Sequence, residues 1–233
     1  MTDSLLPEPL PRPSAPVRDR SGYRMFSAGD CGEAHALAHE MLDLGRPHEG
    51  HARLGAWLDG RTGSGCRWVH LHWHMLVFEL AVGDRGAAAR RFRRAVLPAV
   101  RVGHEALVDA PSGLWRIALA GSEPLDLPWQ EVADRAADAL PDADDPYTVL
   151  HCLLALAGVG DAAGIDAYLA RHDGVGPGGQ ALERMAMALR ALASGNRATA
   201  LPAFALALPG LASIGGSHAQ NELFVELSGA VVA

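Results

Sequence analysis

The chain has 233 residues, is 49% hydrophobic and carries a formal charge of −7, which gives it apolar material for a sizeable core and argues against a nucleic-acid partner, since that needs a basic face. Its 20 basic residues are all arginine, so a Schiff-base lysine, a pyridoxal-phosphate anchor and a P-loop are excluded. Cys31, Cys66 and Cys152 are odd in number and far apart, which excludes a CxxC motif or a disulfide framework and fits a reducing cytoplasm.

In chain order, Pro7, Pro9, Pro11, Pro13 and Pro16 mark residues 1 to 20 as a disordered or polyproline-like tail without a signal peptide's apolar run. Residues 21 to 233 read as one helical domain. Asp30 with Glu33 forms a capping box for a first helix that stops at Gly45 and carries His35 and His39. The next marked helix holds HLHWH (70 to 74) and stops at Gly83. Arg90, Arg91, Arg93 and Arg94 follow on a helix and read as a solvated face. Ser112 to Ala120, a turn at Gly121 and Trp129 to Leu140 make a further helical pair. Asp145 and Pro146 are the N-cap and first-turn proline of a helix carrying His151. DGVGPGGQ (173 to 180) lacks a phosphate-loop lysine and a preceding strand, and reads as a loop. The apolar stretch 198 to 214 is broken by Pro202 and Pro209 and is too short to span a bilayer. Ser217 with Gln220 is a second capping box, opening a closing helix; no GxSxG elbow surrounds Ser217, so the serine is a cap and not a nucleophile. Strand signals are absent.

Gly45, Gly83, Gly160 and Gly195 share a phase. A small residue follows five positions on, a bulky apolar one nine on and another apolar one twelve on: Gly50, Leu54 and Trp57; Ala88, Phe92 and Ala95; Ala200, Phe204 and Ala207. The Gly160 copy, with Ile165, Leu169 and His172, is degenerate. A period of 34 to 40 residues made of helix, turn and helix predicts an all-α, right-handed tetratricopeptide-like array of about five helical hairpins and a closing helix. An irregular helical bundle is the alternative.

In such an array the first helix of each pair lines the concave face. His35, His39, His70, His74 and His151 fall at groove-facing positions of first helices, with Asp109 and Arg184 nearby and His218 at the start of the closing helix. His35 with His39, and His70 with His74, are i,i+4 pairs, the spacing by which one helix presents two nitrogens to one metal ion. Two such pairs supply four ligands; hydrogen-bonded structural histidines and a metal-free polar pocket are the competing readings. His72 points off that face, and His48, His51, His104 and His172 read as solvent-facing.

The stretches AHALAHEMLDLGRPHEG (34 to 50), HLHWHMLVFELAVGD (70 to 84), DAPSGLWRIALAG (109 to 121), HCLLALAGVGD (151 to 161) and GGSHAQ (215 to 220) resemble the tetratricopeptide repeat protein 38 family over roughly residues 30 to 230. The resemblance implies motif residues His35, His39, His70, Trp73, His74, Asp109, Trp115, Arg116, His151 and His218, and no settled activity. The proline-rich tail stands where members carry further helical pairs, so the groove is expected to be open on that side or closed by a second subunit in a homodimer.

Two activities are open. The first is an enzyme acting on a small molecule in the concave groove. His35, His39, His70, His74, His151 and His218 would serve acid/base or metal-assisted chemistry, with Asp109 orienting one imidazole. His35, His39, His70 and His74 would hold zinc, copper, iron or nickel, with Trp73 and Trp115 as walls and Arg116 and Arg184 holding a carboxylate. The second is a scaffold binding a peptide or protein. Imidazoles stand where peptide-clamping grooves usually carry lysine, arginine and asparagine, which favours the first.

Overall fold

The structure, a computed structural model, describes residues 17–18, 24–25, 28–172 and 174–232. Most of the proline-rich tail lies outside the described residues. At its end, β1 (Val17–Arg18) pairs antiparallel with β2 (Arg24–Met25). Two residues per strand are too few for the alternation that marks a strand in sequence, so the expectation of no strands missed this pair.

The rest is helical. The helices are α1 (Ala28–Asp43), α2 (Pro47–Leu58), α3 (Cys66–Ala81), α4 (Arg85–Arg91), α5 (Leu97–Val102), α6 (Asp109–Leu119), α7 (Trp129–Ala139), α8 (Pro146–Gly158), α9 (Ala162–Leu169), α10 (Gly176–Ala193), α11 (Arg197–Ala207) and α12 (His218–Val232). A π-helical turn, Phe92–Val96, joins α4 to α5 without a break. Pro98 explains it: proline has no N–H for the Arg94 carbonyl and its ring would strike that carbonyl, so the backbone widens and Leu97 N–H reaches back to Phe92.

The four phase-marking glycines do the same work at four turns. Their φ angles are +63°, +87°, +75° and +66° at Gly45, Gly83, Gly160 and Gly195. At each, the glycine N–H bonds the carbonyl three residues back and the next N–H bonds the one five back: Arg46 to Met41 at 2.8 Å, Asp84 to Glu79 at 2.8 Å, Asp161 to Leu156 at 3.0 Å and Asn196 to Ala191 at 3.1 Å. This closure needs a left-handed residue, which glycine supplies without a side-chain clash. Three of the following residues then cap the next helix, Asp84 accepting from Ala87 N–H, Asp161 from Gly164 and Asn196 from Thr199. One glycine thus ends a helix while its neighbour begins the next.

The predicted caps at Asp145 and Ser217 are formed. Asp145 accepts from Thr148 N–H at 2.9 Å, and Ser217 and Gln220 exchange their bonds at 2.9 and 3.3 Å. Two boundaries differ from expectation. Helix α1 starts at Ala28, which puts Asp30 inside the helix and not at its N-cap. Helix α10 starts at Gly176, so the second half of DGVGPGGQ is helical, with Pro177 in the first turn, where a missing N–H costs nothing.

The core has two parts, meeting at α3. Cys31, Leu37, Met41, Leu54, Trp57 and Phe78 fill the space among α1, α2 and α3; Leu76, Phe92, Leu114, Leu153, Phe204 and Phe224 belong to the larger part beyond. Helix α8 is buried on nearly every face because α6, α7, α9 and α10 cover it. Gly50 is where α2 meets α3: a β-carbon there would sit 2.3 Å from the Phe78 ring. Helix α12 packs on α11 and returns across the chain to α6 and α1. Arg116 fastens it, donating to Glu226 Oε1 at 3.0 Å and the Ala219 carbonyl at 2.5 Å. Among the described residues, no helix is long and apolar enough to cross a membrane.

Candidate metal centre

Helices α1 and α3 each bring two imidazoles to one point. His35, His39, His70 and His74 each place one ring nitrogen there, and these four atoms all lie within 4.8 Å of one another. The i,i+4 spacing aligns each pair along its helix, and the packing of α1 on α3 joins the pairs. His35 Nε2 and His39 Nε2 are 3.0 Å apart. Tetrahedral ligand nitrogens about 2.0–2.1 Å from an ion sit about 3.3 Å from each other, so the spacing suits shared coordination.

Each imidazole is placed differently. His74 is fully buried, and among the described residues neither of its ring nitrogens has a hydrogen-bond partner. His70 donates Nδ1–H to Asp109 Oδ1 at 2.7 Å, which fixes the tautomer and leaves the Nε2 lone pair bare. Trp73 lies behind His70, the two rings stacked at 7° with centroids 5.3 Å apart, and its indole N–H reaches Ser112 Oγ at 3.3 Å. His35 and His39 are half-buried and closer to solvent.

Burial and mutual repulsion favour the neutral form of His35, His39 and His74. Burial, first, and then the charges of His70, His39 and Arg67 lower His35 to about 4, with Asp109 working the other way. His39 is lowered by burial and then by His70, and His74 is held well below the ordinary imidazole value by burial and then by its three neighbours. A neutral imidazole is the form that binds a metal.

A cavity of about 330 Å³ opens beside the cluster, lined by His35, Arg67, His70, Glu105, Asp109 and Gln220 among others. Arg67, Glu105 and Gln220 were not foreseen. Arg67 had a sequence signal, lying three residues before His70 on the same helical face; Gln220 was read only as a cap and as part of GGSHAQ, and Glu105 had no signal.

The other expected site residues lie elsewhere. Trp73 is fully buried and offers no wall to a ligand; its part is to support His70. Trp115 packs on Trp129 and donates to the Leu154 carbonyl at 3.0 Å, a contact between α6 and α8 inside the core. Arg116 is committed to α12, as described above. Arg184 is exposed on α10, which packs on α8, α9 and α11. His151 is buried against Tyr147 and Phe224, donating Nδ1–H to the Tyr147 carbonyl at 2.9 Å, and is not part of the four-imidazole cluster. His218 is exposed at the start of α12, beside Asp43 and Glu222. The departures have separate causes: α6 covers Trp73, α7 and α8 cover Trp115, and α12 occupies Arg116.

His72 does turn away, accepting from Arg91 Nη1 at 3.0 Å. His48 and His104 are exposed as expected, whereas His51 and His172 are half-buried, His172 stacked on Tyr168. In comparison with known proteins, no family model, no curated protein and no solved structure matches the chain.

Proposed function

We propose that this is a metal-dependent enzyme, with His35, His39, His70 and His74 as ligands of one transition-metal ion and the adjoining 330 Å³ cavity as the seat of a small substrate. The observation that carries the reading is His74: a fully buried imidazole with no hydrogen-bond partner for either nitrogen among the described residues, one of them among four converging nitrogens. An unpaired buried polar group is costly, and coordination would remove that cost. Imidazole ligands suit zinc, copper, iron or nickel, and such an ion supplies Lewis acidity and a water of lowered pKa. Four imidazoles leave a position for substrate only on an ion that takes five or six ligands.

The chain's own residues have separate parts. Asp109 orients His70 through Nδ1–H. Trp73 holds that ring from behind and excludes water from its buried side. Arg67 gives the cavity a cation, and Glu105 gives it a carboxylate besides the one Asp109 spends on His70, so it can receive a polar substrate and accept or return a proton at Glu105.

The tetratricopeptide-like reading is supported by the four glycine turns in phase and by a repeated separation. His70 to Asp109, Trp73 to Ser112 and Trp115 to Leu154 are all bonded across 39 residues, one step of the repeat. The likeness to the tetratricopeptide repeat protein 38 family is a proposal resting on the motifs quoted above. Peptide binding on the inner face is the weaker reading, because α12 packs there on α1 and α6 and Arg116 is occupied.

The test is elemental analysis of tag-free protein beside a His70→Ala, His74→Ala variant, followed by a screen of esters, amides and phosphoesters with metal-loaded and stripped protein. Near-stoichiometric metal that the variant loses, with turnover that returns on reloading, is expected. Wild-type protein that takes up no metal on reconstitution would overturn the reading.

A further inference from the structure

A second cavity lies away from the four histidines. It has a volume of about 840 Å³, lies between the loop before α3 and the α4–α5 helix, and is within the size range of small-molecule sites. Four guanidiniums line it, from Arg61, Arg90, Arg91 and Arg94, against one carboxylate, from Glu79. That is a local excess of positive charge in a chain whose net charge is −7.

Two of these arginines are uncommitted. Arg91 holds Glu79 Oε1 through Nε and Nη2 at 2.9 and 2.7 Å and donates to His72. Arg61 lies over the Trp57 ring and donates to its carbonyl. Arg90 and Arg94 are exposed at the cavity, and among the described residues neither has a carboxylate partner. Their neighbour Arg93 turns away and bonds Asp126. Of the run, Arg90, Arg93 and Arg94 are exposed, as a solvated face requires, and Arg90, Arg91 and Arg94 also line the cavity.

Three further features point to the ligand. Gly63, Ser64 and Gly65 line the cavity where α3 begins, and among the described residues no N-cap side chain bonds that helix start, an end that favours an anion. Trp68 and His72, in edge contact, form an aromatic wall continued by Val69 and Pro98. Glu79 is only 4% exposed, and among the described residues its Oε2 has no hydrogen-bond partner. A buried carboxylate oxygen with an open lone pair calls for a donor.

We propose that this cavity is a binding site for a small organic phosphate. Arg90, Arg94 and the start of α3 take the phosphate, Trp68 takes the ring or apolar body, and Glu79 Oε2 accepts from a hydroxyl or amine of the same molecule. A multiply hydrogen-bonded anion fits planar guanidiniums better than a point charge would.

The experiment is calorimetric titration of the full chain with adenosine monophosphate, glucose 6-phosphate, inorganic phosphate and adenosine, using wild type and an Arg90→Gln, Arg94→Gln variant. Both side chains are exposed, so the variant should keep its circular dichroism and its metal content, which separates this test from that of the histidine centre. Saturable binding of at least one phosphate ester, weakened tenfold or more in the variant, with adenosine silent, is the expected result. No ester binding, or binding equal in both proteins, overturns the proposal. Inorganic phosphate binding as tightly as the esters overturns the roles given to Trp68 and Glu79.

Discussion

His74 and Asp109 show how much depends on single side chains. His74 is buried with no hydrogen-bond partner among the described residues, and Asp109, itself 5% exposed, spends its carboxylate on His70. Replacing Asp109 by asparagine keeps the shape but loses the charge that orders the His70 tautomer. Metal affinity should fall about 10- to 100-fold, the usual effect of losing such an outer partner, as measured by chelator competition. Gly50 makes a different kind of point. A methyl group at this position would overlap the fully buried Phe78 ring, so Gly50→Ala should destabilise the chain by about 1–3 kcal/mol in urea denaturation, with metal binding per folded molecule unchanged. A substitution no costlier than a surface change would mean that α2 and α3 can slide apart.

At the scale of elements, the turns were readable and the docking of α12 was not. The glycine turns are local: left-handed φ, two backbone bonds and the next cap lie within a few residues, so spacing alone locates them. Gly83 has nothing within 4 Å of where a β-carbon would be, so Gly83→Ala carries only the backbone cost, about 1–2 kcal/mol, visible as a lower denaturation midpoint. Helix α12 is different, because it is held by residues about 100 positions away. With Arg116→Ala the bonds to Glu226 and Ala219 go, and hydrogen exchange in α12 should quicken while α8 and α10 keep their protection. Equal acceleration throughout would show that α12 is not a separately fastened element.

At the scale of the molecule, buried histidines tie stability to pH. His151 is held at about 4, by burial first, although the Tyr147 carbonyl bond and the charges of Asp109 and Asp145 pull the other way. Its ordinary value is 6.5, so below that pH the unfolded chain takes up a proton that the folded chain refuses. Stability from this residue is complete above about pH 6.5 and is lost as the pH falls toward 4. The loss between pH 7 and 5 is about 2 kcal/mol. His151→Phe should remove that share of the slope; it gives up the Nδ1–H bond to the Tyr147 carbonyl, while among the described residues Nε2 has no partner. Urea titrations at the two pH values would check it, and an unchanged slope would place the acid sensitivity elsewhere.

What the sequence by itself determined is whatever a few neighbouring residues decide. Helix ends at the glycines, the caps at Asp145 and Ser217 and the two i,i+4 histidine pairs all follow from 3.6 residues per turn and from local backbone hydrogen bonds. The tertiary structure alone decided which faces meet. It brought α1 to α3, so that two pairs became one centre, and it set Asp109 against His70 across 39 residues. It also turned Trp73 and Trp115 from expected walls into contacts with α6, α7 and α8, and Arg116 from an expected carboxylate holder into the fastening of α12, and it gathered Arg90, Arg91 and Arg94 with Glu79 around a cavity. Helical periodicity tells which residues share a face; what covers that face is set by packing between distant segments, and no local spacing encodes it.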